Sequence, residues 1–409
     1  MSNLIQNAGN RPGNDPIFAL NAEAQRRAAA GESIVNATLG ALMEDDGKLA
    51  VLPSVVDALA RVPERKGAAY APIAGDPTFL RAVIADVFGD GPLAAQTVAA
   101  ATPGGTGALY QAITNFLEFG QSLLTTSFYW GPYHTLATHA GRGIETFPMF
   151  ARDGGFHVDA FAQGLERQLA RQGRSLVFLN TPCHNPTGYS LDEREWDATA
   201  GIVQRAGEKA PVTVLVDMAY ARFANPGSVD WTRHVARMMT SATVLVAWSG
   251  SKSFAQYGAR IGAVLATHAD AGERTRLANA FTYGCRGTWS NCNALGQAAI
   301  AELLQTPSLR VCVDGERERL IRLLGERVAA FNLEAAKAGL RYPRYEGGFF
   351  VAVFADDPEA TAARMRDDGV FVVPIGEKGA GAVRVALCST PVRDVPRVVA
   401  ALSRALRQG

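Results

Sequence analysis

The chain has 409 residues, 48% of them hydrophobic and 19% charged, with a formal net charge of +1 at pH 7. That length supports a large core divided between about two or three domains, and so small a charge offers no field to gather nucleic acid or an anionic membrane. No apolar run approaches the roughly 20 residues of a spanning helix, and MSNLIQNAGNRPGND at the N-terminus lacks the basic start and apolar core of a secretory signal. Cys183, Cys285, Cys292, Cys312 and Cys388 are odd in number and contain no C-x-x-C pair, and His134 and His139 are five apart rather than four. The expectation is a cytoplasmic, enzyme-sized protein with no metal site, no disulfide framework and no nucleic-acid or membrane partner.

In chain order, Asn14-Asp15-Pro16-Ile17 opens an amphipathic helix to about residue 30, followed by an extended stretch over 35–40 and a turn at Asp45-Asp46-Gly47. This reads as a packing arm, with Gly40 a point of close approach. A helix near 53–60 precedes Gly67-Ala68-Ala69-Tyr70-Ala71-Pro72, a punctuated loop that exposes Tyr70. A helix over 79–88 leads to a first core strand, 96–101, which ends in Thr102-Pro103-Gly104-Gly105-Thr106-Gly107 before a helix over 108–119. Glycines in such a turn let backbone N–H groups and the helix dipole reach a phosphate; tight packing alone also favours them, and the spacing is not the dinucleotide G-x-G-x-x-G.

Further strands are expected over 122–126, 143–147, 175–180, 212–217, 243–248 and 261–267, making about seven, the size of a large wound sheet. Ligands bind outside the carboxyl ends of such strands, and four of those ends carry chemistry. Phe128-Tyr129-Trp130-Gly131 puts an aromatic plane there, suited either to stacking on a pyridine ring or to filling core. Asn180-Thr181-Pro182-Cys183-His184-Asn185-Pro186-Thr187-Gly188 has two X-Pro steps that stiffen a turn and present Asn185. Asp217-Met218-Ala219-Tyr220 closes an apolar strand with a carboxylate, which needs a partner such as a protonated pyridine nitrogen. Ser249-Gly250-Ser251-Lys252 sets one primary amine among hydroxyls, with Arg260 soon after. An amine condenses with an aldehyde, while hydroxyls and a guanidinium hold a phosphate, so pyridoxal 5′-phosphate is the cofactor to consider; an ordinary loop lysine is the plain alternative.

Taken in order and spacing, GTGAL from Gly105, Trp130-Gly131, HNPTG from His184, DMAY from Asp217 and S-x-S-K-x-F-x-x-Y-x-x-R from Ser249 to Arg260 resemble the class I, fold-type-I pyridoxal-phosphate aminotransferases. The resemblance covers almost the whole chain and is nearest the aspartate and aromatic amino acid subgroup. It implies that Lys252 is the Schiff-base lysine, Asp217 the pyridinium partner, and Asn185 and Tyr220 donors to the ring 3-oxygen. Gly105, Thr106, Ser249 and Arg260 would hold the phosphate, Trp130 would cover the ring, and Tyr70 would reach the phosphate of a neighbouring subunit in a homodimer with shared sites. Two departures stand out: Gly104 occupies the position of a phosphate-binding serine, and Tyr133, followed by His134, that of a histidine which backs the aspartate. No role is carried over to Tyr133.

Further on, Cys285-Arg286-Gly287-Thr288-Trp289-Ser290-Asn291 resembles the segment whose arginine binds a substrate side-chain carboxylate across the dimer, although Cys292 and Asn293 stand where prolines are frequent. A long helix over 312–338 leads to a strand starting at Gly347-Gly348-Phe349-Phe350-Val351, a helix over 358–368 and a strand over 382–387. Arg384 sits alone in that apolar strand, and a desolvated cation there wants an anion, either an internal carboxylate or, by resemblance, the substrate α-carboxylate. Gly40 would close over that carboxylate and Phe349 would line the pocket. The expected architecture is α/β: a large domain with a wound, mostly parallel seven-stranded sheet over 50–308, and a smaller α+β domain from an N-terminal arm, 1–49, and the C-terminal third, 309–409.

The implied reaction is transamination between an L-amino acid, either aspartate or glutamate or an aromatic one, and a 2-oxo acid such as 2-oxoglutarate. Lys252 is general base and then general acid, and two arginines fix a dicarboxylate. A serine acyl-enzyme using Ser249-Gly250-Ser251-Lys252 lacks the S-D-N and K-T-G that should accompany it. A nucleotide-binding protein leaves Lys252 and Arg384 unexplained. Another pyridoxal-phosphate enzyme of the same fold, such as a β-lyase, is the remaining alternative.

Overall fold

The computed structural model describes residues 2–13, 15–225 and 227–408; Asn14, expected at the start of the first helix, lies outside the described residues. The chain forms two compact units, one made of Leu49–Gly325 and Pro343–Phe349, the other of Met1–Lys48, Glu326–Tyr342 and Phe350–Gly409. Within the helix Pro307–Ala338 the division falls between Gly325 and Glu326, where the sequence reading puts it at 308/309.

The larger unit is built on seven strands: β1 (Thr97–Pro103), β2 (Ser122–Thr126), β3 (Gly143–Phe147), β4 (Ser175–Asn180), β5 (Val212–Asp217), β6 (Thr243–Ser249) and β7 (Ile261–Thr267). Their order across the sheet is β1-β7-β6-β5-β4-β2-β3. β4 and β5 are buried from end to end and rich in Val, Leu and Phe, as strands covered on both faces must be. Each fully buried Val or Leu there contributes roughly 1.5–3 kcal/mol of transfer free energy. Only β7 runs against its neighbours, pairing antiparallel with both β1 and β6. That reversal brings the amino end of β7 to the edge where the other strands have their carboxyl ends, with Ile261 opposite Pro103 and Gly262 opposite Ser249.

Helices cover the sheet, several started by an aspartate whose carboxylate accepts first-turn amides. Asp76 caps Pro77–Phe88, and Asp192 forms a reciprocal capping box with Glu195 at Glu193–Gly207. Each such cap contributes about 1 kcal/mol. The helix after β1 departs from expectation: it runs over Gly104–Phe116, four residues earlier than 108. Gly104, at φ +70°, reverses the chain within one residue, so the helix begins where the strand stops. Among the described residues, no helix is long and apolar enough to cross a membrane.

The smaller unit has three antiparallel strands, β8 (Phe350–Ala355), β9 (Val373–Ile375) and β10 (Gly381–Ala386), in the order β9-β10-β8. Helices Pro16–Ala29, Pro358–Asp367 and Val395–Arg407 belong to it, and Val35–Asn36 pairs in parallel with Val370–Phe371. The expected N-terminal arm is laced to the end of β10: Ala386 N donates to Ala37 O at 3.0 Å and Met43 N to Cys388 O at 2.9 Å. Arg327, fully buried, secures the same junction through the carbonyls of Met43 and Cys388 and the Asp45 carboxylate, each at 2.7 Å. β8 starts at Phe350 rather than Gly347. The preceding glycines stay with the larger unit, where Gly348, at φ +84°, has no room for a Cβ beside Cys183.

Candidate active site

The strand ends of the larger unit enclose a cavity of about 160 Å³, lined by Gly105, Thr106, Trp130, Asn180, Asn185, Asp217, Tyr220, Ser249, Ser251, Lys252 and Arg260 among others. Nine of these residues are ones the sequence singles out as cofactor ligands, carried on five separate loops. Lys252 lies on the single turn Gly250–Ser253 that follows β6, and its Nζ stands 5.5 Å from the centre of the Tyr220 ring and 5.6 Å from that of Tyr257. The turn starts with Ser249, whose Oγ accepts the Ser251 amide at 3.2 Å.

One side of the cavity is a cradle of donors. Gly104, Gly105 and Thr106 form the first turn of a 13-residue helix, whose free N–H groups and positive dipole end favour an anion. Arg260, carried to the same edge by the reversed strand β7, donates to Ser251 Oγ at 3.2 Å and to the Tyr257 carbonyl at 2.9 Å. The geometry also accounts for the glycine at 104. A Cβ there would run into the Arg260 guanidinium, and its positive φ disfavours any side chain. Arg260 therefore occupies the space that a serine at this position would need.

The other side is made by Asp217 and its neighbours. Asp217 ends β5 with 6% of its surface exposed, accepting from the Tyr133 hydroxyl at 2.7 Å on Oδ2 and from the Ala219 amide at 3.2 Å on Oδ1. Burial pushes the carboxyl group above its ordinary pKa, opposed by the Tyr133 and Ala219 hydrogen bonds and by the Lys252 charge. A buried carboxylate in that condition is stabilised by a cation placed against it. Asn185 Nδ2 donates to the Tyr220 hydroxyl at 3.3 Å, while Asn185 Oδ1 is buried with no hydrogen-bond partner among the described residues. Such an atom facing a cavity suits a polar ligand group. His184 of the same loop donates nothing to catalysis as a cation: burial drives its pKa down to about 3, and its Nδ1 lies 2.9 Å from Thr187 Oγ1.

A phosphate cradle, an amine, a buried carboxylate and an aromatic cover in one cavity fit pyridoxal 5′-phosphate. The family model described as aminotransferase class I and II matches residues 33–402. An aromatic-amino-acid aminotransferase of Paracoccus denitrificans is 30% identical over 302 residues, 72% of this chain and 74% of the relative. An aspartate aminotransferase of Pseudomonas aeruginosa is 24% identical over 399 residues, 94% of this chain and 97% of its own. A crystal structure of an aminotransferase from Anaerococcus prevotii superposes with a TM-score of 0.90 at 29% identity, covering 99% of this chain and all of that one. The chain belongs to the class I and II aminotransferase family. It is an enzyme that transfers amino groups with pyridoxal 5′-phosphate as cofactor.

The remaining predicted residues lie outside the cavity. Tyr70 is 91% exposed on the larger unit. Arg286 is exposed in the last turn of helix Ala271–Thr288, its Nη1 donating to Ser290 Oγ at 2.7 Å. Gly40 and Arg384 belong to the smaller unit. There Arg384, 4% exposed, donates to the Thr38 carbonyl at 2.5 Å and lies 4.4 Å from the centre of the Phe350 ring. A Cβ on Gly40 would meet the same ring. The aromatic neighbour of Gly40 and Arg384 in this unit is thus Phe350. Phe349 instead packs edge-on against Tyr220 at 5.2 Å and Phe223 at 5.0 Å. Strand alternation puts adjacent residues on opposite sides, a signal available in the sequence once the start of β8 is known.

Proposed function

We propose that the enzyme moves the α-amino group between dicarboxylic or aromatic L-amino acids and a 2-oxo acid such as 2-oxoglutarate, working as a cytoplasmic homodimer with shared sites. The observation that carries the reading is the meeting of Lys252, Asp217 and the Gly105–Thr106–Ser249–Arg260 cradle around one cavity. Relatives named for aromatic amino acids and for aspartate support the two substrate classes.

Bound in that cavity, pyridoxal 5′-phosphate supplies an aldehyde that captures amino groups and a ring that takes up electrons from the substrate Cα. The chain does the rest. Gly105 and Thr106 amides, the Ser249 hydroxyl and Arg260 would hold the phosphate, and Trp130 would cover the ring. Asp217 would keep a proton on the ring nitrogen, and Asn185 and Tyr220 would engage the ring 3-oxygen. Lys252 Nζ would hold the cofactor through its aldehyde carbon until the substrate amine displaces it, and the freed amine would then carry the proton from the substrate Cα to that carbon. Arg384 holds the α-carboxylate with Gly40 closing over it, and Arg286 from a second subunit reads the side-chain carboxylate. Tyr70 reaches the partner's phosphate, a role that its exposure permits.

Half-reaction rates across a panel of amino acids test this directly. Aspartate, glutamate and at least one aromatic amino acid should each yield the corresponding oxo acid and the aminated cofactor in stoichiometric amount. Release of ammonia and pyruvate from β-substituted alanines, with no amino transfer, would establish the lyase alternative.

A further inference from the structure

Asp217 has a neighbour to which the sequence attaches no role. Tyr133 comes from the first turn of helix Pro132–His139, has no exposed surface, and donates its hydroxyl hydrogen to Asp217 Oδ2 at 2.7 Å. Its ring is held on three sides: edge-to-face on Phe178 at 5.1 Å and 82°, edge-to-face on Trp130 at 5.9 Å and 89°, and nearly parallel to Tyr129 at 6.4 Å and 9°. A phenol clamped in this way holds its hydroxyl oxygen in one place, within reach of Asp217 Oδ2. The Asp217 backbone is fixed as well, its carbonyl accepting Asn180 Nδ2 at 2.8 Å.

We propose that Tyr133 is the positioning residue of the cofactor's carboxylate partner: its hydrogen bond fixes the orientation of Asp217 and favours the ionised carboxylate inside the cavity. The inference rests on the assignment of Asp217 to the cofactor ring nitrogen. Two further titratable groups face the pair: Lys252, from the turn after β6, acts on Asp217, and Tyr220, from the segment after β5, acts on Tyr133. Lys252 favours the ionised carboxylate, as the Tyr133 hydrogen bond does. Tyr133 is itself pushed well above the ordinary phenol pKa, first by burial and then by the Asp217 charge, so it remains a donor throughout the working pH range. The acid limit of cofactor binding is then set by Asp217 without a second proton equilibrium at Tyr133. The turn 130–133 has a double duty in this scheme, since Trp130 covers the ring while Tyr133 orients the charge beneath it.

The test compares wild type with Tyr133→Phe, which keeps the ring and removes the hydroxyl. Two quantities are read: the dissociation constant of pyridoxal 5′-phosphate from reconstitution of the apoprotein, and the acid limb of that constant against pH. Loss of one hydrogen bond to an ionised group should weaken binding by about 10- to 100-fold and move the acid limb upward by about one to two pH units. In an Asp217→Asn background the same substitution should change the constant by less than about threefold, because the charged acceptor is gone. A Tyr133→Phe protein with a lower Tm but an unchanged constant and acid limb would overturn the proposal and leave the cofactor assignment standing. A wild-type protein that bound no cofactor would remove both. Should Tyr133→Phe fail to fold, Tyr133→His decides: near-normal binding with a new histidine titration in the pH profile supports the proposal, and binding without any change in the profile overturns it.

Discussion

If Arg286 reads the substrate side chain as proposed, Arg286→Ala should separate substrate recognition from everything else the chain does. The side chain is exposed, and its hydrogen bond to Ser290 Oγ at 2.7 Å is a surface contact, so its removal should alter folding stability by no more than about 0.5 kcal/mol. A forked, charge-assisted contact to a substrate carboxylate contributes about 2–4 kcal/mol. If Nη1 must exchange the Ser290 hydroxyl for that carboxylate, about 0.5–1 kcal/mol is given back, leaving about 1–3.5 kcal/mol. Arg286→Ala should therefore lower kcat/KM for aspartate and glutamate by about 5- to 350-fold. Phenylalanine and tyrosine need no cation at that position and should lose less than about threefold. The assay is single-turnover kinetics on the purified holoenzyme with each amino acid at several concentrations, alongside the Tm of each variant. An equal loss for dicarboxylic and aromatic substrates, or a loss that tracks Tm, would refute the assignment of Arg286 as a side-chain reader.

Lys252→Ala should abolish turnover yet retain the cofactor noncovalently through the cradle and Asp217; near-normal transamination by the variant would end the proton-carrier assignment, and dialysis with visible spectroscopy measures the retention. Arg384→Ala should raise KM for every amino acid, since all share the α-carboxylate, and should also lower Tm, because it leaves the buried Thr38 carbonyl without this donor at a cost of about 1–3 kcal/mol. Arg384→Lys, which keeps the charge but not the fork, should recover only part of the KM. For His184 the folded pKa lies at about 3, below an unfolded value of 6.5. The unfolded chain alone binds the proton as pH falls through 6.5, so stability is complete above that value and about 2 kcal/mol is lost by pH 5, the further loss ending near pH 3. His184→Gln should flatten the stability-against-pH curve over 6.5–5 by about one proton, measured by urea unfolding.

Much of this protein is legible without coordinates because its signals are local. β4 and β5 are continuous apolar runs of β-branched and large residues, and that pattern has one comfortable environment, the middle of a covered parallel sheet. Lys252, Asp217 and Asn185 follow directly from it: each is a polar group placed just past or at the end of such a run, where it must face either a partner or a ligand. Chemistry restricted to an amine, a carboxylate and a donor cradle then narrows the cofactor. What the tertiary structure alone decided depends on contacts between residues far apart in the chain. Gly104 has a positive φ and a Cβ there would meet the guanidinium of Arg260, 156 positions later, which reaches this edge because β7 runs backwards between β1 and β6. Tyr133 meets Asp217 across 84 positions; the resemblance puts it where a histidine backs the aspartate, but only the structure shows that a phenol hydroxyl makes that bond here. Phe350 rather than Phe349 faces Gly40 and Arg384 because the register of β8 on β10, with Ala352 opposite Arg384 and Phe350 opposite Ala386, puts Phe350 on that face.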